Sequence, residues 1–149
     1  MAQVGIWEAE GEFSVPLAPF LPAGTVIGNH PAAFSQQPLD LLLMAPSASG
    51  WAAINRIHCR IALLPGPFLP LTRGLKAEYA ISYGTAPRST ITLSSLEREQ
   101  IGIALQRSIP TLAGGTVDEQ EFLLPFPTDT DPTLFLGLTG ARLLLSEQP

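Results

Sequence analysis

Residues 51–64 read Trp51-Ala52-Ala53-Ile54-Asn55-Arg56-Ile57-His58-Cys59-Arg60-Ile61-Ala62-Leu63-Leu64, and the period of this stretch decides the fold. Counted in twos, Trp51, Ala53, Asn55, Ile57, Cys59, Ile61 and Leu63 form a mostly apolar face. Arg56, His58 and Arg60 then stand in a row on the other face. Counted at 3.6 residues per turn, Trp51, Ile54, Ile57, Ile61 and Leu64 make a stripe that Ser49 would cap. Pro65-Gly66-Pro67 breaks the chain directly afterwards, and the alternation is good on one face, so the strand is preferred over the helix.

The flanking segments extend that choice. Leu39–Ala45 is a continuous apolar run, as in a strand buried on both faces. Ala77–Gly84 alternates Ala77, Tyr79, Ile81 and Tyr83 against Glu78, Ala80 and Ser82, and Thr85–Arg88 would return it into Ser89–Leu93 as a hairpin. Ser94-Ser95-Leu96-Glu97 fits a capping box opening a helix to about Arg107, but Ile101, Ile103 and Leu105 also alternate as in a second hairpin. Phe122–Leu124, Thr133–Leu138 and Leu143–Leu145 read as further strands, and Gly140 separates the last two. Pro16-Leu17-Ala18-Pro19-Phe20-Leu21-Pro22 fixes φ repeatedly and reads as an extended arm. Its Pro-Phe-Leu-Pro phrase recurs at Pro67–Pro70. The expected architecture is mainly β, a small β-sandwich or β-barrel-like domain with proline-rich arms and at most one or two short helices. An α+β fold is the alternative. Residues 1–149 are expected to form a single domain, with 1–30 as an extended N-terminal arm.

Composition limits the function. In 149 residues, 46% are hydrophobic and 14% charged, and a chain this long buries enough surface for one core. A net charge of -5 and the single lysine Lys76 leave no basic footprint for phosphate backbones, so no nucleic-acid partner is expected. No apolar run reaches the length of a membrane span, and the N-terminus lacks the pattern of a secretory signal. One cysteine, Cys59, excludes an internal disulfide and a multi-cysteine zinc site. No Asp, Glu, Lys or Arg occurs between Glu12 and Asp40, which points to surface covered by another chain.

Catalytic signatures are weak. Adjacent Cys59 and His58 would point apart on a strand, and Asp129-Thr130-Asp131 lacks the glycine and distal glutamate of a calcium loop. No catalytic residue, cofactor or metal ligand is therefore assigned. Arg56, His58 and Arg60 are candidates for an anion or a partner carboxylate. Trp7, Phe20, Leu21, Phe68 and Leu69 are the interface candidates, as aromatic or apolar anchors on the N-terminal segment and the two proline arms.

Leu21-Pro22-Ala23-Gly24-Thr25-Val26-Ile27-Gly28 resembles a phrase of small β-rich phage head-decoration proteins, over eight residues. Similar phrases occur in SAF domains. The decoration family implies a trimeric, non-enzymatic cement on a capsid lattice, located in the virion or the host cytoplasm. The function expected is thus a structural or assembly protein, a homo-oligomer within a larger particle, acting through apolar and strand-edge contacts. The alternative is an intracellular enzyme or small-molecule-binding domain with a pocket around Trp51, Arg56, His58 and Arg60, together with Tyr79 and Tyr83.

Overall fold

The computed structural model describes residues 2–49, 56–66, 74–127 and 129–149. The mainly β class expected from the sequence is the class observed, built around one large mixed sheet. Five strands run parallel: β1 (Val4–Trp7), β2 (Val26–Gly28), β3 (Leu39–Met44), β4 (Ile57–Pro65) and β5 (Leu75–Tyr83), in the spatial order β2-β1-β3-β4-β5. Strands buried on both faces tolerate unbroken apolar runs, which is why Leu41, Leu42, Leu43 and Met44 can follow one another. The strand reading of 51–64 holds from Ile57 onward. Residues 50–55, with Trp51, lie outside the described residues.

Three more strands, β6 (Ile91–Leu96), β7 (Gln100–Leu105) and β10 (Gln120–Pro125), continue the sheet in antiparallel fashion. So the segment 94–107 folds as the hairpin and not as the capped helix. The hairpin expected between Ala77–Gly84 and Ser89–Leu93 does not form. β6 runs parallel to β5 and joins it through the single pair Tyr83–Ile91. After that pair β6 leaves β5 and takes all its other registered partners from β7. A small separate ladder, β8 (Ile109–Pro110) with β9 (Thr116–Val117), connects β7 to β10.

Two stretches read as extended are helical. Pro132–Ser146 forms α2, which replaces the two expected strands at Thr133–Leu138 and Leu143–Leu145. Asp131 caps it by accepting from Thr133 N, and Pro132 occupies its first turn, where a missing N–H costs nothing. Ser14–Leu17 forms the one-turn helix α1, and Ala18–Phe20 continues it as a 3-10 turn. The proline tract is therefore a wound turn and not an arm, because proline's φ suits an early helical turn as well as an extended chain. Nor does the N-terminus hang free: β1 is an interior strand, paired on both sides and fully buried.

α2 lies against β4, β5 and β6 and so covers the joint between the two halves of the sheet. The core on its side runs from Ile6, Leu43 and Leu63 through Tyr83 and Ile91 to Ile103, with Leu136 and Leu144 from the helix. A second core on the opposite face gathers Trp7, Phe34, Leu42, Met44, Ile57 and Leu64. Tyr83 links the layers. Its buried hydroxyl donates to Met44 O at 2.6 Å, and its ring meets that of Phe13 at 6.2 Å. Tyr83→Phe leaves that carbonyl without this donor, and urea denaturation is expected to show a loss of about 1–2 kcal/mol.

The side-chain alternation slips by one at the foot of the sheet. Gln3 O accepts from both Asp40 N and Leu41 N, the signature of a β-bulge. Leu39 accordingly packs in the second core while Leu41 and Leu43 pack in the first. The same switch occurs in β4, where Ile57 and Cys59 belong to the second core and Ile61 and Leu63 to the first. Among the described residues, no helix is long and apolar enough to cross a membrane.

Candidate functional site

The bulge decides where the row Arg56, His58 and Arg60 ends up. Arg56 and His58 are exposed, whereas Arg60 is partly buried and donates from Nη2 to Thr111 O at 2.6 Å. His58 and Arg60 line an open basin of about 790 Å³ at the foot of the sheet, together with Asp40, Lys76 and Glu78. Arg56 is not part of its wall. Asp40 and Glu78 offset Arg60 and Lys76 around the basin, Arg60 is committed to a backbone carbonyl, and Asp40 accepts from Gln3 N at 2.7 Å. The basin therefore has no concentrated charge of one sign to offer a ligand. Tyr83, placed by the sequence in the same pocket, is in the core.

Cys59, beside His58, is a buried core residue, and burial pushes its thiol up to about 12 from 9.0. The unfolded thiol loses its proton near pH 9 while the folded one keeps it. Its contribution to stability is thus complete below pH 9 and falls by about 1.4 kcal/mol per pH unit toward pH 12. Tyr83, held above the ordinary phenol range by burial and then by the charge of Glu12, acts in the same direction at still higher pH. Urea midpoints at about pH 8 and 10.5 test this: Cys59→Ala is expected to flatten the alkaline loss.

The carboxyl ends of β1 and β3 flank the point where the strand order reverses, the usual ligand crevice of an open parallel sheet. Here the chain fills it with its own groups. Buried Glu8 accepts from Phe13 N and Ser14 N, both at 2.9 Å, and from Ser14 Oγ. Ser47 Oγ donates to Glu12 Oε1 at 2.6 Å and accepts from Ala9 N at 2.8 Å. The network fastens the loop after β1 to the loop after β3. No group of three or more metal-ligating side chains converges among the described residues.

The interface candidates separate in space. Trp7 is fully buried, packs on Phe34 at 5.6 Å and donates from Nε1 to Ser49 O at 2.8 Å, so it anchors the core and not a partner. Its position in an interior strand is what a sequence read as an arm conceals. Phe68 and Leu69 lie outside the described residues. Leu21 is partly buried against the first core. Phe20 is 36% exposed and forms the rim of an apolar groove of about 390 Å³.

That groove is walled by Pro16 and Leu17 from α1, by Leu124 and Pro125 from β10, and by Phe135, Leu138 and Arg142 from α2. Positions 135, 138 and 142 follow helical spacing and so share one face of α2. The guanidinium of Arg142 lies 4.9 Å over the Phe20 ring, a cation–π contact. Its Nε is buried and has no hydrogen-bond partner among the described residues. The sequence signals Phe20 but not Arg142, whose role follows from the helix that replaced the expected C-terminal strands.

β10 bounds the groove and is also the last strand of the sheet, so one of its edges is unpaired among the described residues. Its Leu123 is 66% exposed. The opposite edge strand, β2, has only three residues and is followed closely by His30-Pro31, which blunts it. The phrase 21–28 feeds that short strand: Thr25 N and Oγ1 both donate to Pro22 O around Gly24, whose φ is +84°. Comparisons with family models, with curated proteins and with solved structures find no match to this chain.

Proposed function

We propose that this chain is a non-enzymatic assembly protein that holds neighbours in a larger particle through the β10 edge and the groove beside it. The observation that carries this reading is the coincidence of three features in one place. They are, among the described residues, a six-residue strand edge left unpaired, an exposed apolar side chain on it, and an apolar groove containing a buried guanidinium nitrogen without a hydrogen-bond partner. An extended segment laid along such an edge gains main-chain hydrogen bonds, and its alternate side chains gain a pocket. The neutral tract between Glu12 and Asp40 supplies part of the same face, since Pro16, Leu17 and Phe20 line the groove. A virion accessory protein is the most concrete form of the proposal, on the resemblance of residues 21–28.

Light scattering of the purified chain, combined with the identity and stoichiometry of whatever copurifies, tests it. An oligomer or a stoichiometric complex is expected. A stable monomer at micromolar concentration with no partner overturns the reading.

A further inference from the structure

We propose that the occupant of the β10 edge is an extended segment of another protein that carries an Asp or Glu beside Leu124, on the face turned to α2, so that its carboxylate meets the Arg142 guanidinium in the groove. This rests on the assembly reading above and specifies the partner's chemistry.

The edge decides where the segment's side chains go. Phe126 N donates to Glu99 O in the neighbouring hairpin turn, continuing the pairing of β10 with β7. Bonding direction alternates along a strand, so even-numbered residues turn their N–H toward β7, and Glu121, Leu123 and Pro125 turn outward. Side chains alternate between the faces of the sheet. Phe122 and Leu124 pack against the first core, on the α2 side, while Glu121 and Leu123 stand exposed on the other face. Whichever way an added strand runs, its residue beside Leu124 shares Leu124's face, about 5 Å away. Leu124 is a wall of the groove, so that residue's side chain is delivered to it. A second copy's β10, paired about a two-fold axis, would bring only the apolar Phe122 and Leu124 to this face.

The groove calls for a carboxylate at that position. Its walls are apolar apart from Thr139 and Arg142, and the Thr139 hydroxyl already donates to Phe135 O at 2.9 Å. Arg142 has the Phe20 ring at 4.9 Å but, among the described residues, no ion pair and no hydrogen bond from Nε. No Asp or Glu lines the groove with it. A planar guanidinium fork fits a carboxylate best, and apolar surroundings strengthen the pair. Pro125 has no N–H, so at this end the strand offers a carbonyl but no donor, and the guanidinium supplies one. The other end of β10 repels the same charge. Asp118, Glu119 and Glu121 cluster there, and the sequence has no Lys or Arg between Arg107 and Arg142. Charge thus sets a register that the two outward donors of Glu121 and Leu123 leave open. An apolar residue two positions along the segment then lies beside Phe122.

Peptide binding followed by NMR tests the pairing. The probes are acetyl-Thr-Val-Thr-Glu-Thr-Val-Thr-amide, which reads alike in both directions, and the same peptide with Gln or Lys at its centre. Titrated to millimolar concentration, the Glu peptide should shift the Glu121 and Leu123 amides and the Arg142 Nε–H. It should bind about tenfold or more tighter than the Gln peptide, and the Lys peptide should bind most weakly. Arg142→Glu should reverse the order to Lys over Glu, and Arg142→Gln should bring the Glu and Gln peptides within about threefold of each other. The three peptides on the unaltered chain keep the test sound if either variant fails to fold. Equal binding of the three, a Glu preference that survives Arg142→Glu, or a Glu peptide that shifts none of these amides would each overturn the inference. Octanoate binding as tightly as the Glu peptide would make the occupant a free amphiphile and overturn it too. So would concentration-dependent protection of the Glu121 and Leu123 amides in the chain alone, which marks a second copy. In each case an oligomer or a stoichiometric complex in light scattering leaves the assembly reading intact, and a monomer without a partner overturns both.

Discussion

Glu8→Ala is expected to lower the unfolding free energy by about 4 kcal/mol in urea denaturation, the largest effect of any substitution considered. Glu8 is buried, and its carboxylate is the acceptor for Phe13 N, Ser14 N and Ser14 Oγ. Hydrogen bonds to a charged group contribute about 1.5–3 kcal/mol each, and donors left buried without acceptors add their own desolvation cost. The side chain is also what starts α1. In its place the turn from Phe13 to Leu17 loses its fastening while two of its residues, Phe13 and Leu17, belong to the first core. Glu8→Gln keeps one carbonyl acceptor and should lose about half as much. A loss below about 1 kcal/mol in Glu8→Ala would show that the turn is held by its core contacts alone. Leu17 and Phe20 are also groove residues, so Glu8→Ala should weaken the proposed assembly through the groove as well as stability.

Gly137→Ala is expected to cost about 3 kcal/mol, although alanine in a helix interior normally gains about 1 kcal/mol over glycine. A Cβ at this position would lie 2.7 Å from Tyr83 Cε2 and 2.8 Å from Phe13 Cζ. Both are ring atoms in a packed core, and a ring that yields here must carry the Tyr83 hydroxyl away from Met44 O. Gly140→Ala is the control. Its Cβ would meet Ile91 Cδ1 at 2.5 Å and Leu63 Cδ1 at 3.2 Å, the far ends of flexible side chains that can turn aside. Thermal melts should place Gly140→Ala within about 1 kcal/mol of the parent. Equal effects at the two positions would refute the distinction between rigid and flexible neighbours.

These two glycines also explain why the C-terminal helix was hidden in the sequence. Gly140 reads as a break between strands, and Gly137 weakens any helical propensity over Pro132–Ser146. In the fold both are notches that admit Tyr83, Phe13 and Ile91, residues far away in sequence. The Asp131-Pro132 start was a usable signal, since a capping residue followed by proline opens helices. The proline tract misled for a related reason: local chemistry fixed φ at Pro16 and Pro19 but left the turn and the extended chain equally accessible. Period-two patterning, by contrast, was reliable where one face met solvent, as at Ile57–Arg60. It could not reveal that β5 and β6 run parallel, because strand direction is set by partners and not by the segment. The groove was legible only at Phe20. Arg142 became meaningful once α2 placed it over that ring.

The single Tyr83–Ile91 pair between the two halves of the sheet bears on how the chain reaches this structure. Residues 91–105 form a hairpin from contacts close in sequence, the kind that assembles quickly. The parallel half must close long crossover loops before its strands meet, and so should form later. α2 follows every strand in chain order, yet it supplies Leu136, Leu143 and Leu144 to the core on the face spanning both halves. A nascent chain emerging from the ribosome therefore holds two partly formed sheets with an uncovered seam until the helix is released. The seam is where a folding intermediate would be exposed to aggregation, and where a chaperone would bind it.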